Sequence, residues 1–167
     1  MMNTDWLNKI LETKHRLYRL ALRLLNNSQE AEDAVQETII KIWKKMQAGY
    51  PIQHPEAMAM TITKNYCLDQ IKSKRWNESS LDQSFFSSEI TSANAADQLM
   101  LKETENTIDQ IINHLPEQQK IIFHLRETEA LDFDEIEAIT GMNKNAIRVN
   151  LSRARKFIRL QLQNIYD

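Results

Sequence analysis

The amino-acid sequence predicts an all-α protein made of two small helical domains. Apolar residues recur every three or four positions in each long segment, which is the spacing that places them on one face of a helix. Only 2 of the 167 residues are Gly and 3 are Pro, so few tight turns are expected. Residues 77–95 are rich in Ser and Asn and lack this spacing. They therefore predict a polar, acidic linker between a domain at residues 1–76 and another at residues 96–167.

The first domain is predicted to be a bundle of three helices. The first helix ends near Asn26, and Ser28 is a candidate N-cap for the second, which reaches Met46. The second helix has acidic residues in its first turn and lysines in its last turn, as the helix dipole favours. A loop at residues 47–54 follows. Pro55 then opens a third helix that extends to about Arg75, because proline is tolerated in the first helical turn.

The second domain is predicted to end in a helix-turn-helix at about residues 132–160. Helices are expected at 96–114 and 116–129 before it, and a short ordered piece is expected in the linker near residues 85–86. Asp132 and Glu135 have the spacing of a capping box, Gly141 suits a helix end, and Asn143 suits the cap of the next helix. Such a motif places its second helix in the major groove of DNA.

The second helix of this motif divides into two faces. An apolar stripe of Ile147, Leu151, Ala154 and Ile158 is expected to pack inwards. The residues near the start of such a helix usually meet base edges, and later basic residues meet phosphates. The candidates for base contacts are Lys144, Asn145 and Arg148. The candidates for backbone contacts are Ser152, Arg153, Arg155 and Lys156. A helix with a basic solvated face is the alternative interpretation of the same pattern.

The helix that starts at Ser28 has an unusual outer face. Asp33, Gln36, Glu37 and Ile40 share it, so an apolar residue lies among polar ones. A single exposed Ile is ordinary in soluble proteins. Acidic and amide groups around an exposed Ile nevertheless suit docking to a basic protein surface.

Charge is segregated along the chain. Residues 1–76 carry an excess of four positive charges, residues 77–143 an excess of eleven negative charges, and residues 144–167 an excess of five positive charges. Phosphate attraction is local, because salt screens charges within about 8 Å. The net charge of −2 is therefore compatible with a nucleic-acid-binding protein.

The sequence gives no argument for catalysis. Cys67 is the only cysteine, which excludes an intrachain disulfide, and the four histidines lack metal-ligand spacing. No catalytic residue, metal or cofactor is predicted, and Cys67 is expected to be a buried small hydrophobe. There is no apolar run long enough for membrane insertion and no signal peptide pattern, which fits a cytoplasmic protein.

Three segments resemble conserved regions of bacterial RNA polymerase sigma factors, in that family's order. Ser28–Trp43 (SQEAEDAVQETIIKIW) resembles region two, and Pro55–Arg75 (PEAMAMTITKNYCLDQIKSKR) resembles the segment that follows it. Leu115–Arg159, which begins LPEQQKIIFHLRE and ends NLSRARKFIR, resembles region four. The short chain looks like the extracytoplasmic-function (ECF) type of the sigma-70 family, with a region-two domain, a linker and a region-four domain.

The resemblance implies roles for particular residues. Asp33, Gln36, Glu37 and Ile40 would bind core RNA polymerase, and the helix-turn-helix would read the −35 element of promoter DNA. The residues expected to engage and melt the −10 element are Asn65, Asp69, Lys72, Lys74 and Arg75. The loop at 47–54 is expected to help hold an unpaired base, and the acidic linker to lie along the path of RNA. An anti-sigma factor is a candidate partner.

Four positions depart from the family pattern. Met58 and Ala59 stand where many relatives have an aromatic residue and Leu, Lys64 stands where Arg is usual, and Glu137 stands where Ala is usual. Two alternatives stay open at this point. A stand-alone helix-turn-helix regulator would bind DNA without polymerase, usually at a two-fold symmetric site. A helical adaptor that binds no DNA would leave the excess positive charge of residues 1–76 and 144–167 without a role.

Overall fold

The structure is a computed structural model that describes residues 4–80 and 107–167, and every regular element in these two stretches is helical. The N-terminal half contains α1 (Thr4–Leu25), α2 (Ser28–Gln47) and α3 (Pro55–Ser80). The C-terminal half contains α4 (107–113), α5 (Glu117–Phe123), a π-helical turn (His124–Thr128), α6 (Phe133–Thr140) and α7 (Lys144–Tyr166). The all-α prediction is confirmed. None of the helices in these stretches is long and apolar enough to cross a bilayer.

The helices of the N-terminal half pack around a common core. Leu17 and Leu20 of α1 and Ile42 of α2 are fully buried, and each such side chain contributes roughly 1.5–3 kcal/mol on leaving water. Thr38 and Thr63 bring α2 and α3 together in this core, where their hydroxyl oxygens lie 2.8 Å apart. The core holds α2 and α3 side by side, so their outer faces project from one rigid bundle.

Two helix boundaries in the N-terminal half differ from the prediction. The N-cap of α2 is Asn27 rather than Ser28, because the Asn27 side chain accepts a hydrogen bond from the backbone N–H of Glu30 at 2.9 Å. The third helix continues past Arg75 to Ser80, so residues 77–80 are helical and not part of a loop. The short ordered piece predicted near residues 85–86 lies outside the described residues.

The predicted helix caps, helix end and buried stripe of the helix-turn-helix are confirmed. Asp132 and Glu135 form a reciprocal capping box at the start of α6. Gly141 ends α6 with a φ of 72°, a left-handed conformation that a side chain would strain. The side chain of Asn143 accepts a hydrogen bond from the backbone of Ala146 at 2.8 Å and so caps α7. The four residues of the predicted apolar stripe, Ile147, Leu151, Ala154 and Ile158, are all buried.

The two halves pack against each other. One cluster of buried apolar side chains runs through both, from Leu17 in α1 to Ile122 in α5 and Ile136 in α6. Arg19 of α1 donates two hydrogen bonds, of 2.7 and 2.9 Å, to the buried carboxylate of Glu129, which follows the π-helical turn. This closed arrangement brings the helix-turn-helix beside α3.

Candidate nucleic-acid interface

The candidate base-reading residues lie together at the start of α7. Lys144, Asn145 and Arg148 are all exposed. The Arg148 guanidinium lies 5.5 Å from the centre of the Phe133 ring, and its Nη1 donates to Asn145 Oδ1 at 3.3 Å. The ring and the amide hold the guanidinium at the surface of the helix, where a base edge could replace the weak bond to Asn145.

The candidate phosphate-binding residues continue along the same helix. Ser152, Arg153, Arg155 and Lys156 are all exposed. Arg155 Nε donates to Glu127 Oε1 at 2.8 Å, and Lys144 Nζ lies 2.6 Å from Asp134 Oδ1. The hydrogen bond to Asp134 also raises the pKa of Lys144. Both cations are therefore already paired with acids of the C-terminal half, and these pairs have to be exchanged for phosphates on binding.

The residues predicted to contact the −10 element do not all share one surface. Asn65, Asp69 and Lys72 are exposed and follow one another at i, i+4 and i+7 along α3, which places them in one stripe. Lys74 points to the other side of the helix and pairs with Glu30 of α2. Arg75 lies beside the stripe, and its Nη2 is 2.6 Å from Glu117 Oε1 of α5. The structure thus brings three of the five residues together.

Two exposed residues on these surfaces were missed by the sequence reasoning. Trp76 continues the α3 stripe at i+11 from Asn65, and 75 % of its surface is exposed. Val149 lies between the polar residues of the α7 face and is 46 % exposed. The helical spacing alone could have found both, since 100° per residue places them on the same faces as the polar candidates.

The side of α3 next to the stripe contacts the C-terminal half. Lys64 Nζ donates to the carbonyl oxygen of Ile139 at 3.0 Å, and the Thr61 hydroxyl lies 3.4 Å from the same oxygen. Burial in this contact lowers the pKa of Lys64. Ile139 is in the last turn of α6, where helix carbonyls lack intrahelical partners, so a lysine there satisfies a free acceptor.

The outer face of α2 is accessible. Asp33 and Gln36 are exposed, Glu37 is half-buried, and Ile40 is 44 % exposed. Trp43, one turn further, is 38 % exposed and lies 6.2 Å from Trp6 between ring centres. The apolar part of the face is therefore larger than Ile40 alone, which suits a protein partner better than solvent.

The described stretches contain no group of three His, Cys, Asp or Glu side chains that could hold a metal ion. Cys67 is buried, as predicted, and its burial raises the pKa of the thiol to about 12. The thiol therefore stays protonated and acts as a small apolar group in the core.

Comparisons with known proteins match both halves. The family models for sigma-70 region 2 and sigma-70 region 4 match residues 10–77 and 105–158. The chain is 30 % identical over 156 residues to the RNA polymerase sigma factor SigV of Bacillus subtilis, covering 92 % of this chain and 88 % of the relative. The chain belongs to the sigma-70 family. The ECF sigma factor SigW of Bacillus subtilis is 26 % identical to this sigma factor, with 91 % and 86 % of the two chains covered.

A solved structure has the same fold across both halves of this sigma factor. It is the sigma factor RpoE of Bartonella quintana in complex with the anti-sigma factor NepR. The TM-score is 0.77 at 23 % identity, and the match covers 96 % of this chain and 98 % of that one. This likeness concerns the fold. The family models and the sigma factor relatives confirm the resemblance to ECF sigma factors, and they do not favour the stand-alone regulator. The chain is a sigma factor that directs RNA polymerase to promoters. Its family consists of transcription initiation factors, which are not enzymes.

Proposed function

We propose that this sigma factor binds core RNA polymerase through α2 and directs it to promoters by reading the −10 element with α3 and the −35 element with α7. The observation that carries this assignment is the placement of the α3 stripe and the α7 face on different halves, each exposed to solvent. The docking face Asp33, Gln36, Glu37 and Ile40 belongs to a third surface. One molecule could therefore hold polymerase and two promoter elements at once.

Both proposed DNA-binding surfaces, the α7 face and the α3 stripe, carry side chains suited to the promoter element that each would contact. Arg148 and Asn145 carry the donors and acceptors that distinguish base pairs in the major groove. On α3, Asn65 has an amide that could bond the edge of an unpaired base, and Lys72 is placed for a phosphate. Melting requires such contacts, because unstacking a base costs a few kcal/mol that the protein has to offset.

The closed arrangement is incompatible with reading both elements of one straight promoter. The Thr61 hydroxyl contacts the Ile139 carbonyl oxygen, and Arg148 is nine positions after Ile139 in the chain. Asn65 and Arg148 therefore lie within about 50 Å of each other. The two elements are about 25 base pairs apart, or about 85 Å at roughly 3.4 Å per base pair. We infer that the halves separate when the sigma factor binds polymerase and promoter.

The closed arrangement suits an inhibited form. RpoE of Bartonella quintana was solved with the anti-sigma factor NepR, and the fold likeness extends over 96 % of the present chain. We infer that an anti-sigma factor binds this sigma factor and keeps its halves together. Transcription chemistry would belong to the polymerase, so we assign the chain no enzymatic activity and place it in the cytoplasm with the polymerase.

Arg148→Ala is expected to relax the sequence preference of the −35 element. A good bidentate contact between a side chain and a base discriminates against the wrong base by about 1–3 kcal/mol. The preference at one base pair should therefore fall by roughly 5- to 150-fold. The measurement is transcription by the reconstituted holoenzyme from a promoter library randomised over the −35 element.

Arg153→Ala is the matched control, since Arg153 is an exposed arginine of the same helix assigned to phosphate. It should weaken all promoters alike and reduce the slope of affinity against salt by about 1. An unchanged base preference in Arg148→Ala would remove this residue from base reading.

A further inference from the structure

Val149 is an exposed aliphatic residue in the middle of the polar face of α7. Its exposed fraction is 46 %, and it lies in the second turn of the helix, which begins at Lys144. At 100° per residue, it points between the directions of Asn145 and Arg153 and about 160° away from the buried Leu151. Its side chain therefore faces directly away from the core, towards the DNA that α7 is proposed to bind.

Helix stability does not account for a valine at this position. A single exposed aliphatic residue is ordinary in soluble proteins. At an exposed helical position, however, packing does not select the residue, and Val is a poorer helix former than Ala, Leu or Lys because its branched Cβ restricts χ1. The same restriction holds the two methyl groups in one preferred rotamer. Little conformational entropy is therefore lost when they contact a partner.

The helix around Val149 is firmly positioned. The Asn143 side chain caps its start, and the apolar stripe on the opposite face is buried. Asn150, the next residue, is turned back along the helix, since its Nδ2 donates to the carbonyl oxygen of Ala146 at 2.8 Å. The capped helix and the fixed neighbour thus leave the methyl groups of Val149 facing outwards.

An aliphatic side chain in the major groove has one favourable partner among the bases. Thymine presents its C5 methyl group there, whereas guanine, adenine and cytosine present hydrogen-bonding atoms. Covering those atoms with an aliphatic group removes their water without replacing its hydrogen bonds, which is unfavourable. Contact with the thymine methyl group removes apolar surface of both partners from water, which is favourable.

We propose that Val149 selects thymine at one position of the −35 element by packing its methyl groups against the C5 methyl group of that base, next to the base read by Arg148. This inference rests on the proposed function, since it requires α7 to lie in the major groove of the −35 element. Val149 is then a specificity-determining residue beside the polar candidates of the same face.

The first test removes the methyl group from the DNA. The full sigma factor is bound to core polymerase, and the probe is a promoter recovered with the wild-type holoenzyme. The thymines of its −35 element, on either strand, are replaced one at a time by uracil, which lacks only the C5 methyl group. At one position, uracil should weaken wild-type binding about fourfold, the factor expected for one buried methyl group. Val149→Ala should bind the thymine and uracil promoters within about twofold of each other.

The second test adds the methyl group to another base. Cytosine at the same position should weaken wild-type binding, and 5-methylcytosine should recover about fourfold relative to cytosine. Val149→Ala should bind the cytosine and 5-methylcytosine promoters equally. Val149→Ile keeps the aliphatic branch at Cβ and should retain both responses to the methyl group.

Leu160→Ala is the matched control. Leu160 is an aliphatic residue of the same helix with the same exposed fraction of 46 %, but it lies about 16 Å further along α7. This variant should retain the wild-type response to uracil. Ala is a better helix former than Val, so a lost response in Val149→Ala would not reflect an unfolded helix. Each variant is also titrated with core polymerase in the absence of DNA.

Three results would overturn the inference. Uracil effects that are the same in the wild type and in Val149→Ala at every position would show that Val149 meets no thymine methyl group. A −35 element without thymine on either strand would show the same. A comparable loss of affinity for core polymerase without DNA would assign Val149 to protein docking. Failure of the proposed function gives a different result, since the wild-type holoenzyme itself would then not discriminate promoter from unrelated DNA.

Discussion

Ile40→Lys is expected to lower the affinity of the sigma factor for core polymerase by about 30-fold or more. Ile40 is 44 % exposed among the polar residues of the α2 face. Central interface anchors typically contribute 2 kcal/mol or more, which corresponds to about 30-fold in affinity. The added ammonium would also repel a basic partner, the kind of surface that Asp33 and Glu37 suit. Fluorescence titration of labelled sigma factor with core polymerase measures the change.

The matched control is Leu11→Lys. Leu11 lies on α1 and not on α2, which carries the proposed docking face, and its exposed fraction of 48 % is close to that of Ile40. The same change of an exposed aliphatic residue to Lys should leave core binding within about twofold. Equal losses in the two variants would show that α2 has no special role. The double variant Asp33→Ala with Gln36→Ala should give a smaller loss than Ile40→Lys.

Glu129→Ala is expected to destabilise the closed protein by about 2–3 kcal/mol. The Glu129 carboxylate is buried and accepts two hydrogen bonds from Arg19, and His124 Nε2 lies 3.4 Å from it. Breaking a buried ion pair typically costs 3–5 kcal/mol. The value here is lower because the Arg19 side chain is 47 % exposed and can be hydrated again. Thermal unfolding should show a Tm lower by roughly 4–12 °C.

Stability should also depend on pH through Glu129. Burial on its own would raise the pKa of this carboxyl, but Arg19 and His124 outweigh it and lower the pKa from 4.5 to about 2. The unfolded chain therefore takes up the proton first as pH falls. The stabilisation by Glu129 is complete above about pH 4.5 and is lost as pH falls to about 2. The difference in stability between wild type and Glu129→Gln should shrink over that window.

Glu127→Ala is the control for the Glu129 variants. Glu127 is an acid two residues earlier, and its partner Arg155 belongs to the same half of the molecule. Exposed ion pairs contribute about 0–1 kcal/mol, so the Tm should change little. A Tm for Glu129→Ala close to that of Glu127→Ala would show that the buried carboxylate does not hold the two halves together.

The features that the sequence predicted well are local. The capping box of Asp132 and Glu135, the left-handed Gly141 and the Asn143 cap each involve residues within three positions, so a short stretch of sequence determines them. The buried stripe of α7 follows from helical periodicity alone. The prediction of Ser28 as the N-cap was wrong, because the neighbouring Asn27 caps the helix. Asn and Ser are equally favourable N-cap residues, so the sequence did not distinguish them.

The features that could not be predicted depend on distant contacts. Arg19 and Glu129 are 110 residues apart, and nothing in either segment indicates the other. Two ion pairs stabilise the end of α3, Lys74 with Glu30 and Arg75 with Glu117. Because of them, the helix extends into a Ser- and Asn-rich segment whose helical pattern is weak.

The separation of Lys74 from the α3 stripe was predictable, because it follows from 100° per residue.

The central claim is that this chain gives core polymerase its promoter specificity. The most direct measurement is run-off transcription from a genomic DNA library by core polymerase with and without the sigma factor. We expect discrete start sites that require the sigma factor and share two sequence elements, upstream by about 10 and 35 base pairs. The absence of sigma-dependent start sites, together with tight binding of the free protein to a two-fold symmetric site, would contradict the account.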